Sequence, residues 1–172
     1  MSERTPYPTS LDLALLPIAY RAGIPDSYLD EMGHMNVMWY THLFSQGTLG
    51  LFELVGLTPA YFASRQAGTF ALEQHTRYLA EVRVGQQVSI RGRLLGRNDR
   101  CLHFMNFMTR EDDGILAAIG ESIAAHIDMR VRRTAPFEPS IADMLDRLLA
   151  EHQSLGWAAP VCGALQLKGR TP

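Results

Sequence analysis

The segment "LDEMGHMNVMWY", Leu29 to Tyr40, places a carboxylate, an imidazole and an amide close together at Asp30, His34 and Asn36. It leads into a run from Asn36 to Phe52 that contains no Asp, Glu, Lys or Arg. A carboxylate can attack a carbonyl carbon or activate a water molecule. If a helix begins here, its unpaired N–H groups and partial positive charge can polarise that carbonyl. The residue types therefore suit acyl transfer to water.

The uncharged run predicts a helix over about residues 36–56 that positions these groups. Its apolar residues fall nearly all the way round a 3.6-residue wheel, so we expect burial on most sides. Gly47 and Gly50 cost helix stability of about 1 kcal/mol each against Ala, which predicts close approach of another backbone. Asn36 suits a helix cap or a substrate contact.

The remaining pattern predicts a single α+β domain over residues 1–172, with a core at about 17–135 and a C-terminal helix and tail at 139–172. The weak alternation of residues 17–24 predicts a first strand, which a loop follows. We expect four antiparallel strands joined by successive hairpins, at 69–82, 87–96, 101–110 and 115–129. Ser140 is the expected N-cap of an amphipathic helix over 140–154. Residues 1–16 and the tail from Gly156 read as irregular.

Composition excludes several classes of function. The chain has 172 residues, 47% hydrophobic and 20% charged, with a net charge of −2. These values give no reason to expect a nucleic-acid or membrane partner, and we find neither a transmembrane stretch nor a signal peptide. Cys101 and Cys162 are far apart, which predicts reduced thiols in a cytoplasmic protein. Without an HExxH or CxxC spacing we expect no metal, and without G-x-S-x-G no serine nucleophile.

The quoted segment resembles the D-x-x-G-H-x-N-x-x-x-Y signature of hotdog-fold acyl-CoA thioesterases, the 4-hydroxybenzoyl-CoA thioesterase-like group. Asp30, Gly33, His34, Asn36 and Tyr40 fall on its positions. "LEQHTRYLAEVRVGQQV" and "GILAAIGESIAAHIDM" resemble the group's second and last strands. Within the group, "RYLAEV" and "HID…RR…PF" most resemble thioesterases acting on betainyl-CoA.

The resemblance implies a long central helix wrapped by a curled antiparallel sheet, and hydrolysis of acyl-CoA to acid and free coenzyme A without a cofactor. Asp30 would be the nucleophile or general base, although a loop Asp is also a common turn or cap residue. His34 would act in catalysis, position the substrate or order the loop. Gly33 would let the thioester approach the backbone closely.

Each implied substrate contact has two alternative interpretations. Trp39, Tyr40 and Tyr78 could hold a quaternary ammonium by cation–π contact, or line a pocket for a neutral acyl chain. Sites of the group lie between subunits, which implies a homodimer or dimer of dimers. Glu73 and His75 could then reach a partner's site, or lie on a solvated strand face.

Other residues and functions remain open. Four arginines could bind coenzyme A phosphates or form a solvated hairpin: Arg91, Arg93, Arg97 and Arg100. His126 and Asp128 read as structural, and Cys101 has no nearby base to activate it. The alternatives to a thioesterase are a hotdog enoyl-CoA hydratase or dehydratase, and a non-catalytic acyl-CoA-binding module. Asp30 argues against the module.

Overall fold

A computed structural model describes residues 5–167 of the chain. One curled antiparallel sheet runs in the order β1-β3-β4-β5-β2, and β6 pairs with β5. Its strands are β1 (Ile18–Gly23), β2 (Ala67–Tyr78), β3 (Gln87–Arg97), β4 (Cys101–Arg110), β5 (Leu116–Asp128) and β6 (Arg133–Thr134). The helices are α1 (Ser10–Ala14), α2 (Val37–Glu53), α3 (Pro59–Arg65) and α4 (Pro139–Gln153), with a 3-10 turn at Asp26–Tyr28.

The predicted central helix is confirmed as α2. It begins after Asn36, whose Oδ1 accepts the N–H of Met38 at 3.1 Å. The expected close approach is confirmed at Gly50, where an added Cβ would lie 2.2 Å from the carbonyl oxygen of Ala19 in β1. At Gly47 the near neighbour is instead a side chain, that of Ile90 in β3.

The expectation that α2 is buried on most sides is wrong for the single chain. Leu43, Phe44 and Leu51 pack against the sheet, but an apolar stripe faces solvent. The stripe includes Val37, Met38, Leu49 and Leu54. The sheet covers α2 from one side only, so an apolar helix keeps an uncovered face.

The two faces of the sheet pack against different elements. The inner face meets α2: an added Cβ at Gly120 of β5 would lie 2.8 Å from the ring of Phe44. On the outer face, residues of β4 and β5 form a second apolar cluster with α1 and the following segment, comprising Leu13, Leu16, Met105, Phe107 and Ile119. Because β4 and β5 are buried on both faces, their sequences read as nearly continuous apolar runs.

The hairpin order predicted for β2 and β3 is wrong. β2 pairs with β5 rather than β3, so it lies at the edge of the sheet, while β3, β4 and β5 form the expected meander. A bulge between Ala71 and Glu73 also changes which face of the sheet the side chains after it occupy, relative to those before it. Phe70 lies opposite Ala125 and Tyr78 opposite Ala118, and the two side chains project from different faces.

The N-terminal segment is more regular than expected, α4 begins one residue earlier than expected, and residues 156–167 are irregular as expected. Residues 10–14 form α1, with a reciprocal capping box between Thr9 and Asp12. Ser140 is not the cap of α4, which starts at Pro139 with Glu138 in the cap position. The fixed φ of proline suits the first helical position and displaces the expected start. Residues 156–167 form no helix or strand, and the tail beyond them lies outside the described residues.

None of the helices within residues 5–167 has the length and apolar character needed to cross a membrane.

Candidate active site

The loop that carries Asp30 is closed by backbone hydrogen bonds. The Asp30 N–H donates to the His34 carbonyl at 2.8 Å, and Leu29 and Met35 form a β-bridge around it. Gly33 turns the chain with φ +81°, which glycine adopts without strain. The segment is therefore a tight, ordered turn directly before α2.

The Asp30 carboxylate orders this turn through one oxygen. Its Oδ1 accepts the N–H groups of Met32 at 2.9 Å and His34 at 3.1 Å. Neither bond uses Oδ2, and the residue is only half-buried. Asp30 therefore orders the turn through Oδ1, and Oδ2 takes part in neither of these bonds.

Two backbone hydrogen bonds connect the turn to the neighbouring segments. The Asn36 N–H donates to the Tyr28 carbonyl at 2.9 Å, and the Met35 N–H donates to the Val82 carbonyl at 3.0 Å. The second bond ties the turn to the segment after β2. That contact brings Glu81 to the turn.

Glu81 lies beside His34 of the turn, a proximity that sequence reasoning missed. Its Oε1 lies 3.5 Å from Nε2 of His34, and Oε2 accepts from Arg83 at 2.9 Å. The Arg83 hydrogen bond, and then the charge of His34, lower the pKa of Glu81. No local motif marks it, because its partner is set by the Met35–Val82 backbone contact.

The N-terminus of α2 offers a donor beside the turn. The Asn36 side chain accepts the Met38 N–H, and the Asn36 carbonyl accepts the Trp39 N–H at 2.9 Å. The Val37 N–H belongs to the first helical residue and has no intrahelical acceptor. Asn36 thus serves as the cap, and Val37 is the amide that can meet a carbonyl oxygen.

The aromatic candidates differ in how much surface they expose. Trp39 stacks on Tyr28 with ring centroids 3.7 Å apart and planes 7° apart, so one face of its indole is covered. Tyr40 is buried and meets Tyr78 edge-on at 5.0 Å. Burial raises the pKa of Tyr40. Tyr78 is half exposed, which makes it the most accessible of the three predicted aromatic contacts.

The structure does not bring Glu73 and His75 to the Asp30 turn of the same chain. His75 lies opposite Glu121 and Glu73 opposite Ile123, on the outer face of the sheet. Glu121 accepts the N–H of Cys162 in the C-terminal segment, whereas Gly120, next to it in β5, faces Phe44 of α2 on the opposite side of the sheet. Of the three predicted substrate contacts on β2, which are Glu73, His75 and Tyr78, only Tyr78 lies on the inner face near α2.

Three of the four arginines hold elements of the fold together. Arg93 is buried and donates to the carbonyls of His152 at 2.8 Å and Trp157 at 2.9 Å. Arg97 is buried and forms a two-point ion pair with Asp146 of α4. Arg91 donates to the carbonyl of Leu16 at 2.7 Å. These contacts give the three side chains structural partners within the fold and do not support a phosphate-binding role.

Two further expectations concern residues outside the turn. Burial raises the pKa of the Cys101 thiol, the opposite of what a nucleophile requires. His126 lies between Tyr61, with Nε2 and the phenol oxygen 3.1 Å apart, and the carbonyl of Ala135, 3.0 Å from Nδ1. These contacts agree with a structural role for His126.

Residues 24–145 match the family model of the thioesterase-like superfamily, and the chain belongs to that superfamily. The matched range contains the Asp30 turn, α2 and all strands from β2 to β6. The thioesterase resemblance expected from the sequence is thereby confirmed. The curled antiparallel sheet packed on α2 confirms the expected hotdog fold.

Similar proteins include two curated relatives. The chain is 31% identical over 134 residues to L-carnitine dehydrogenase/betainyl-CoA thioesterase of Agrobacterium fabrum, covering 78% of this chain but only 27% of that protein. It is 28% identical over 136 residues to betainyl-CoA thioesterase of Pseudomonas aeruginosa, covering 79% of this chain and 86% of that one.

A solved structure supports the fold. A Staphylococcus aureus protein in complex with CoA superposes with a TM-score of 0.77 at 21% identity, covering 88% of this chain and 96% of that one.

Proposed function

We propose that this protein is an acyl-CoA thioesterase that releases a free acid and coenzyme A, with Asp30 as nucleophile or general base. The observation that carries the proposal is that one turn holds the Asp30 carboxylate beside the N-terminus of α2. Membership of the thioesterase-like superfamily supports the reaction class.

In this proposal, the turn supplies the reactive carboxylate and the N-terminus of α2 stabilises the developing charge. The thioester carbonyl oxygen accepts the Val37 N–H, and the helix N-terminus stabilises the charge that develops there. Asp30 keeps its place through Oδ1 and uses Oδ2, either to attack the carbonyl carbon or to take a proton from water. No cofactor is needed for either step.

His34 positions the substrate in this proposal, and Glu81 positions His34. The 3.5 Å contact between their side chains supports this order of roles. Because both side chains are partly exposed, their attraction is weak in water, and the effect of losing it should be smaller than the loss of Asp30.

Betainyl is the acyl group that we propose. Two relatives are named for betainyl-CoA, and a quaternary ammonium favours aromatic faces. The quaternary ammonium can contact Tyr78 and the face of the Trp39 indole that Tyr28 does not cover. The buried Tyr40 packs against Tyr78 and supports its ring. A screen of betainyl-CoA against neutral acyl-CoAs of similar size tests this choice.

We also propose a cytoplasmic homodimer or dimer of dimers. The β2 edge exposes backbone and the apolar side chains of Phe70 and Leu72, and α2 exposes an apolar stripe. A second copy covering these surfaces would complete the site. Glu73 and His75 can contribute only in such an assembly. The free thiols Cys101 and Cys162 suit a reducing compartment.

A thiol-release assay across an acyl-CoA panel tests the reaction class. Stoichiometric free thiol supports the thioesterase. A change in enoyl absorbance without thiol release indicates a hydratase, and binding without turnover indicates a binding module. Either of the last two results rejects the proposal.

A further inference from the structure

Three metal-binding side chain types meet on the outer face of the sheet, away from the Asp30 turn. His75 comes from β2, Glu121 from β5 and Cys162 from the C-terminal segment. One potential ligand atom of each lies within 4.8 Å of the other two. The proposed hydrolysis uses neither Glu121 nor Cys162.

Glu121 is built into this cluster as a buried carboxylate. Its side chain is 0% exposed, Oε1 accepts from Nε2 of His103 at 2.8 Å, and Oε2 accepts the N–H of Cys162 at 2.6 Å. A carboxylate has about four acceptor positions, so these bonds leave room for a metal.

His75 supplies a second observation that points to a ligand. Its Nδ1 is buried and has no hydrogen-bond partner among residues 5–167. Most buried polar atoms have a partner, and one without needs an explanation such as an ion. This nitrogen belongs to His75, one of the three residues of the cluster.

We propose that His75, Glu121 and Cys162 form a binding site for one divalent zinc ion. Zinc takes nitrogen, sulfur and oxygen ligands at about 2.0–2.3 Å, so the side chains need to close in by roughly 1 Å. Calcium and magnesium require oxygen ligands, and the set therefore excludes them.

Charge also favours zinc at this position. A thiolate and a carboxylate together neutralise Zn²⁺, which suits the buried side of the cluster. His103 then becomes the partner that orients the carboxylate from behind, as residues around metal ligands commonly do.

A cavity beside the cluster offers space for a fourth ligand. The cavity, of about 1040 Å³, is lined by His75 and Cys162 together with Tyr7 and Arg77. It provides an entry path and room for a water ligand. The metal would join β2 and β5 to the C-terminal segment, on the face of the sheet opposite α2.

The site revises the expectation that the chain has no metal. That expectation was based on short motifs, and these ligands are separated by long stretches of sequence that only the β2–β5 pairing and the C-terminal segment bring together.

Zinc titration of the chelator-treated full-length protein tests the proposal, in competition with a chromogenic chelator. We expect one zinc per chain, with affinity at least about 100-fold weaker in Cys162→Ser, since even partners behind the ligands change affinity 10–100-fold. Cys101→Ser, the matched control at the other free cysteine, should bind as the wild type does. With Co²⁺, a thiolate charge-transfer band should appear in the wild type and Cys101→Ser but not in Cys162→Ser.

A second measurement needs no variant. Zinc should slow alkylation of Cys162 in the folded wild type at least tenfold, while Cys101 serves as an internal reference. No stoichiometric zinc, equal effects of the two serine variants, or unchanged alkylation of Cys162 would each overturn the site. Because these measurements follow only zinc and Cys162, which the proposed hydrolysis does not use, their outcomes are independent of the thiol-release result.

Discussion

Gly50 of α2 and Ala19 of β1 approach so closely that a Cβ on Gly50 would lie 2.2 Å from the Ala19 carbonyl oxygen. Gly47 has a comparable neighbour, but it is a side chain: the Cγ2 atom of Ile90 would lie 2.3 Å away. A backbone carbonyl cannot move without shifting β1, whereas an isoleucine can change its position in the core.

We therefore expect Gly50→Ala to destabilise the fold by about 3 kcal/mol or more, at the upper end of overpacking effects. The better helix propensity of Ala returns only about 1 kcal/mol of this. Gly47→Ala should cost less. Gly156→Ala, where nothing lies within 4 Å, serves as the control and should be nearly neutral. Urea unfolding of the three variants measures the order, and equal stability of Gly50→Ala and the control would contradict it.

The strands and α2 were predictable because their patterns are long. The run from Cys101 to Arg110 was predicted with the observed bounds, and Asn36 marks the start of α2. The bulge between Ala71 and Glu73 was not predictable, because it moves Phe70 to the other face without changing the alternation of the sequence. The edge position of β2 was missed for a similar reason: strand order depends on long-range pairing.

Only those residues of the site that lie close together in the sequence could be predicted. Asp30, Gly33, His34 and Asn36 lie in one turn, so a short motif could bring them together. Glu81 joins them through the backbone contact between Met35 and Val82. Of the proposed zinc ligands, His75 and Glu121 meet through sheet register, and Cys162 reaches them from the C-terminal segment. Arg93 and Arg97 looked solvated on a strand face because the sequence does not show that α4 and Trp157 cover them.

Gly33 should be needed for the shape of the Asp30 turn. Its φ of +81° costs a residue with a Cβ roughly 1–2 kcal/mol, while no atom lies close enough to clash. We expect Gly33→Ala to lose about that much stability, and Gly33→Asn less, because Asn tolerates this region better. Thermal unfolding distinguishes them. Equal losses in both variants would mean that space, not backbone conformation, limits the position.

His152 should make stability depend on pH. Burial, and then the charge of Arg93, lower its pKa from 6.5 to about 4, while its Nδ1 accepts the Leu94 N–H at 2.8 Å. Between these values the unfolded chain binds a proton that the folded chain does not, so stability falls as pH drops from about 6.5 to 4. The full loss is on the order of 3 kcal/mol.

His152→Gln tests this assignment, since its side-chain oxygen can still accept the Leu94 N–H but does not titrate. We expect its unfolding free energy to change less than that of the wild type across the same pH range. Parallel pH profiles for the two proteins would rule out His152 as the source.

The exposed edge of β2 should be an interface between copies of the chain. Leu72 is 53% exposed on this edge, and a charge there would have to be desolvated on pairing. We expect the wild type to sediment as a dimer or tetramer at micromolar concentration, and Leu72→Glu to shift toward monomer. Ala63→Glu, on the exposed surface of α3, is the control. A monomeric wild type would contradict the shared site.

The most direct measurement is turnover of Asp30→Asn against its acyl-CoA binding. The amide oxygen of Asn can still accept the Met32 and His34 N–H groups, so the turn should keep its shape while the reactive charge is lost. We expect thiol release to fall by about 10²–10⁴-fold or more with binding retained. Asp26→Asn, in the neighbouring 3-10 turn, should keep wild-type turnover. If Asp30→Asn hydrolyses acyl-CoA at nearly the wild-type rate, Asp30 is not the reactive group and the mechanism is wrong.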